Sequence, residues 1–130
     1  LISFATTSHA QNKEKVEAVK AYYSGFEKHD WNLAISHFDT GFTFTSPNND
    51  NHIAIEKFKE KCWGTNKFFK KVNYIKMAES GNELFLLVEI ITTDNNIVRN
   101  VDVFKFSNAD KIESIETFFG AGESYPGNKK

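Results

Sequence analysis

Val98-Arg-Asn-Val-Asp102-Val-Phe-Lys-Phe106, followed across Ser107-Asn-Ala-Asp110 by Lys111-Ile-Glu-Ser-Ile-Glu-Thr-Phe-Phe119-Gly120, is the stretch that decides the fold. Two runs of alternating character joined by turn-forming residues read as an antiparallel hairpin. Alternation sets Val98, Asn100, Asp102, Phe104 and Phe106 on one face, with Arg99, Val101, Val103 and Lys105 on the other. Asp102 therefore shares a face with two phenylalanines. A carboxyl in such company pairs with a partner, lines a polar spot in a cavity, or stays protonated, because desolvation disfavours its charge.

Working outward, the same period of two continues upstream. Strands are expected near Phe68 to Glu79, Leu84 to Thr93, Ile97 to Phe106 and Lys111 to Phe119, with turns at Ser80-Gly-Asn82 and Asp94-Asn-Asn96. Short connections make this a meander of antiparallel strands. Before it the period is helical. Val16, Val19, Ala21, Tyr22, Tyr23 and Phe26 form the apolar stripe of a helix over residues 13–29. Asp30 is placed to cap a second helix running through Phe38 and closed by Thr40-Gly41. Phe42, Phe44 and Ser46 alternate with threonines as a short strand stopped by Pro47 and the turn-rich 48–51 segment. A third helix is expected from His52 to Trp63, ended by Gly64. Helices preceding a run of strands indicate an α+β domain in which helices cover one face of a curved sheet.

The chain of 130 residues is long enough for one domain with a core and too short for two. Residues 13–120 form that domain; 121–130 are a polar tail. Residues 1–12 read as the residual end of a secretory signal, an apolar run followed by small residues at Ser8 and Ala10, or as a disordered start. The first of these predicts an exported, soluble protein, periplasmic or secreted. Sixteen basic residues against seventeen acidic ones give no electrostatic footprint for nucleic acid or an anionic membrane, so neither is expected as a partner. Nothing after the first residues reaches the apolar length of a membrane span. A single cysteine, Cys62, makes no internal disulfide and reads as a small buried hydrophobe. His9, His29, His37 and His52 show no metal-binding spacing with one another or with Cys62, so no metal is expected. No Gly-rich phosphate loop or nucleophile elbow is present, and no cofactor is expected. Thirteen phenylalanines and two tryptophans either fill a thick core or line an apolar pocket.

This order of elements, together with the Phe104-Lys-Phe106, Lys111-Ile112 and Phe118-Phe-Gly120 signatures of the last hairpin, resembles the nuclear-transport-factor-2-like (NTF2-like) superfamily, also called SnoaL-like. The resemblance covers Val16 to Gly120. It implies a cystatin-like roll, a cone in which a curved antiparallel sheet wraps around the N-terminal helices, and a homodimer. The nearest pattern within the superfamily is steroid Δ5-3-ketosteroid isomerase. That enzyme uses a tyrosine and a protonated aspartic acid as an oxyanion hole, and a second aspartate to move the proton. By resemblance Asp102 falls on the protonated acid. Tyr22, eight residues before Asp30, falls on the tyrosine, and Lys59 on a further tyrosine of the third helix. The base should stand just before the strand-ending proline, where this chain has Ser46, and a serine cannot shuttle a proton without a base beside it. Asp50 and His52, just past Pro47, are the residues of the loop that could supply one.

The expected site is therefore Tyr22 and Asp102 at the polar end of a pocket. Phe26, Phe44, Ser46, Phe58, Trp63, Asn100, Phe104, Thr117 and Phe119 are expected to line it. Each has a plainer reading: Tyr22 as a core tyrosine that points its hydroxyl at any acceptor, Trp63 as a core plug, Asp102 as a structural acid held by Asn100, Arg99 or a backbone amide. Glu89 and Glu116 are expected at an exposed sheet face or a dimer surface. The leading functional expectation is a domain that binds a hydrophobic small molecule without an identified catalytic base. The alternative is a cofactor-independent isomerase, cyclase or dehydratase working on a carbonyl-containing hydrophobic substrate through Tyr22 and Asp102.

Overall fold

A computed structural model describes residues 12–120; the signal-like segment expected at the N-terminus and the polar tail from 121 lie outside the described residues. The chain runs α1 (Lys13–Lys28), α2 (Trp31–Ala34), β1 (Phe38–Ser46), β2 (Asp50–Ala54), α3 (Ile55–Cys62), a 3₁₀ segment (Trp63–Phe68), β3 (Phe69–Ser80), β4 (Glu83–Thr92), β5 (Ile97–Phe106) and β6 (Ile112–Phe119). The result is the α+β arrangement expected from the sequence, with helices on one face of a curved, unclosed six-stranded sheet.

Asn12 opens α1 by accepting from the amides of Glu14 and Lys15, and His29 closes it in the left-handed conformation, donating its amide to the Gly25 and Phe26 carbonyls. Asp30 caps α2 through the Leu33 amide, as expected. That helix stops at Ala34, four residues short of expectation. Phe38 pairs with Ile112 in β6, and the Ile112 amide bonds to His37, so sheet pairing captures the chain before a further helical turn forms. The two helices touch at Gly25, where a Cβ would come within 2.4 Å of the Ala34 backbone nitrogen.

Strand order is β2-β1-β6-β5-β4-β3. All neighbours are antiparallel except β1 and β6, which run parallel, so the meander is antiparallel and the first hairpin joins its edge in the opposite sense. The expected third helix begins three residues late. Asn49 takes a left-handed φ of 63°, which turns the chain back so that residues 50–54 pair with β1 as a strand before α3 starts. Register shifts interrupt β1 against β2 and β6, β3 against β4, and β5 against β6; such irregularities bend strands and let the sheet curl around α1.

Ala18, Val19, Tyr22, Tyr23 and Phe26 of α1 bury against Leu84, Leu86, Val88, Phe104 and Ile115 of the concave face. The opposite face exposes Phe85, Val101 and Phe118. Alternation along β5 is as read from the sequence: Asn100, Asp102, Phe104 and Phe106 are buried, while Arg99, Val101 and Lys105 are exposed. Among the described residues no helix is long and apolar enough to cross a membrane, and no group of three or more His, Cys, Asp or Glu could hold a metal ion.

Candidate functional site

A cavity of about 190 Å³ lies between α1, β1, α3 and the inner face of the sheet. Aromatic rings make up about half of its wall, and its polar groups gather at two poles. The inner pole is built on Asp102. Its side chain is fully buried on β5, flanked by Leu86 of β4 and Thr117 of β6 as cross-strand neighbours. The Tyr23 hydroxyl donates to its Oδ2. Its Oδ1, and the Oδ1 of Asn100 two residues before it on the same face, are buried without a hydrogen-bond partner among the described residues. Burial raises the Asp102 pKa to about 6, while hydrogen bonding from Tyr23 and Thr117 holds it back from rising further. Burial, followed by the Asp102 charge, also pushes both Tyr22 and Tyr23 well above the ordinary phenol value.

The family resemblance implied Tyr22 as the partner of Asp102, and the structure corrects this to Tyr23. Consecutive helix positions point about 100° apart, so the two hydroxyls are not both aimed at the Asp102 carboxyl, and it is Tyr23 that reaches it. Tyr22 is turned into the aromatic cluster, with ring centroids 5.1 Å from Phe26, 5.8 Å from Phe104 and 6.0 Å from Phe38. It still lines the cavity beside Tyr23, and its hydroxyl has no hydrogen-bond partner among the described residues.

The outer pole is Asp50. The three-residue loop Pro47-Asn48-Asn49 pairs Ser46 with Asp50 across the β1–β2 hairpin, so both side chains share the inner face. Ser46 Oγ donates to Asp50 Oδ2 at 2.6 Å, and the Asn48 amide donates to the same hydroxyl. Lys61 of α3 donates to Asp50 Oδ1 and to the Asn48 carbonyl. Burial acts to raise the Asp50 pKa, but hydrogen bonds from Lys61 and Ser46, together with the Lys61 charge, outweigh it and hold the carboxyl below its usual value. The carboxylate is therefore charged at neutral pH. Its neighbour Cys62, also on the cavity wall, is pushed up to about 11, chiefly by burial, and is a poor nucleophile.

Of the residues expected to line the pocket, Phe26, Phe44, Ser46, Phe58, Thr117 and Phe119 do so. Trp63, Asn100 and Phe104 do not. Trp63 packs against Phe26 and Trp31 at 4.9 and 5.2 Å, which is the core-plug arrangement. Phe104 is fully buried behind Tyr22, and Asn100 and Asp102 lie beneath the wall rather than on it. Lys59, at the family's tyrosine position, is exposed, with its ammonium 5.0 Å from the Trp31 ring centroid. His52 is exposed, outside the cavity wall, with its ring against Asn51. Arg99 bonds to Glu89, not Asp102. Reading the residues missed Tyr23, Asn48, Lys61, Cys62, Thr65, Phe69 and Ile90 on the wall. A signal for Lys61 was present, since it follows Phe58 by three residues and so shares its helix face.

No protein-family model matches the sequence, and no curated protein matches it. Solved structures do match in shape. An NTF2-like protein of unknown function from Cytophaga hutchinsonii superposes with a TM-score of 0.63 at 17% identity, covering 85% of this chain and 94% of that one. The chain has the NTF2-like, SnoaL-like fold. A cystatin-like protein of unknown function from Methylobium petroleophilum matches with a TM-score of 0.71 at 12% identity over 87% and 80% of the two chains. SalBIII, an epoxide hydrolase/cyclase-like enzyme with a role in pyran ring formation in polyether salinomycin, matches at 0.68 and 17% identity over 83% and 92%. Proteins of such different descriptions share this fold, and the cavity's own residues have to carry any functional argument.

Proposed function

We propose that this NTF2-like domain binds a small, mainly apolar molecule in its cavity and orients it by an oxygen function set against the two tyrosines. The observation that carries this reading is the buried Tyr23–Asp102 hydrogen bond, with Tyr23 on the cavity wall among Tyr22, Phe26, Phe44, Phe58 and Phe69. A fully buried carboxyl with one unpartnered oxygen has an energetic cost that a plain core would avoid. A volume of about 190 Å³ is below the roughly 300–1,000 Å³ of pockets for drug-sized ligands, which favours a molecule of about one ring. The test compares toluene with benzyl alcohol by NMR titration of the Tyr22, Tyr23 and Thr117 signals. Both should bind, the alcohol the more tightly, and Tyr23→Phe should remove the difference. Failure of both to perturb these signals at millimolar concentration would end this reading.

A second reading, a cofactor-independent isomerase, cyclase or dehydratase, is favoured by Asp50. The serine that stands in the base position is hydrogen-bonded to a carboxylate on the same cavity wall. Two carboxyls around one cavity are pushed in opposite directions, the pattern of a base and an acid. In such an enzyme Asp50 takes a proton from the carbon next to a carbonyl, the C–H pair becomes the C=C bond, and the carbonyl oxygen gathers charge beside Tyr22 and Tyr23. Exchange of the methyl protons of acetophenone for deuterium tests it: exchange above the buffer rate that Asp50→Asn abolishes supports catalysis, and exchange at the buffer rate rejects this step.

A further inference from the structure

We propose that Asp102 sets, through Tyr23, whether the floor of the cavity accepts or donates a hydrogen bond, so that a ligand bearing only an acceptor binds together with a proton. The inference rests on the binding reading above and adds the chemistry that the site selects.

Tyr23 has one proton and Asp102 lies behind it, off the cavity wall. While Asp102 is ionised, that proton is held in the bond to Oδ2, and Tyr23 offers a ligand only oxygen lone pairs. Once Asp102 is protonated, its own O–H donates to the Tyr23 oxygen, and the tyrosine proton turns to the cavity. The buried bond has to run one way or the other. The surroundings allow both. Around the carboxyl stand Tyr22 and Tyr23 from α1, Leu86 from β4 and Thr117 from β6, and no charged side chain bonds to it among the described residues. Oδ1 has no hydrogen-bond partner among the described residues, so the ionised form rests on the neutral hydroxyls of Tyr23 and Thr117 and not on a cation. The titration of Asp102 near pH 6 places the reversal in an accessible range. The other acids of the wall stay out of that range: Asp50 is held low, and Cys62 and both tyrosines are raised. Among the described residues no histidine lines the cavity.

Acetophenone, an acceptor only, and 1-phenylethanol, a donor and acceptor of the same shape, are the probes. Acetophenone should bind more tightly as pH falls from 8 to 6, by roughly tenfold or more, and level off below, with uptake of up to about one proton measured by calorimetry in two buffers of different ionisation enthalpy. The alcohol should show little slope. Asp102→Asn supplies a permanent donor to Tyr23, so it should hold acetophenone at its acid-side affinity across the range and abolish the slope. A merely structural aspartate would not give that rescue. A flat acetophenone profile in the native protein, or a slope that persists in Asp102→Asn, overturns the inference. The reversal also has a ligand-free readout. The Asp102 carboxyl and Tyr23 ring-carbon NMR shifts should titrate with one midpoint, and a Tyr23 that ignores Asp102 overturns it. Co-titration with neither probe bound would instead sink the binding reading and leave the reversal standing.

Discussion

Asp50 and Asp102 are both nearly without exposed surface, 4% and 0%, one on the wall of the cavity and the other beneath it, yet the molecule treats them in opposite ways. Asp50 sits at a hairpin near the mouth, where the stem of Lys61 reaches it from α3 and leaves the ammonium part-exposed. Asp102 sits in the middle of the sheet, one strand from β6 and one from β4, where the hydroxyls of Tyr23 and Thr117 reach it and no cation pairs with it among the described residues. The first stays ionised; the second is raised to about 6. Burial alone does not decide the charge of a carboxyl. The partner does, and whether a cation can be the partner depends on how far the site is from the rim.

The largest effect expected from this contrast is on stability against pH. In the unfolded chain Asp102 titrates near 3.8, and in the folded one near 6. Between these values the folded state holds more proton, so the contribution of Asp102 to stability is greatest at low pH and is lost as pH rises through that window. Two pH units correspond to about 3 kcal/mol. Asp102→Asn removes the penalty, so its stability relative to the native protein should improve by about that amount between pH 4 and pH 7.5. Urea unfolding at the two pH values measures it. A relative stability unchanged with pH would mean that Asp102 carries no such penalty, and the contrast with Asp50 would collapse.

Parity made Asp102 legible, because a strand's period of two fixes which face a residue takes and Phe104 and Phe106 mark the buried one. The same rule could not separate Tyr22 from Tyr23. Both lie on a broad apolar stripe, and only the position of β5 relative to α1, which is a tertiary fact, decides which hydroxyl meets the carboxyl. Asp50 was half legible. Pro47 and the asparagines announced a turn, but the turn's length sets whether Asp50 faces inward, and that follows from the left-handed Asn49. The shortened α2 was hidden for a related reason: its sequence suits a helix, and pairing with a strand some seventy residues later overrides it.

A smaller change should be seen at the rim, with the opposite sign. Lys61→Met leaves the Asp50 carboxylate with Ser46 as its remaining side-chain donor, so its pKa rises and the protein should lose about 1–3 kcal/mol near neutral pH, the cost of a buried group deprived of its partner. Protonation relieves that cost, so the loss should shrink as the solution is acidified below the raised pKa, whereas native Asp50, with its lowered value, contributes stability above the ordinary carboxyl range and loses it as pH falls. Ser46→Ala removes one charge-assisted hydrogen bond and leaves the ion pair, so it should cost about 1–2 kcal/mol with a weaker pH dependence. Thermal melts of the two variants from pH 4 to 8 order them. If Ser46→Ala proves the more damaging, the hydroxyl rather than the ammonium keeps Asp50 ionised. The rim would then resemble the Tyr23–Asp102 pole, two carboxyls each governed by a hydroxyl, and the difference between them would reduce to depth alone.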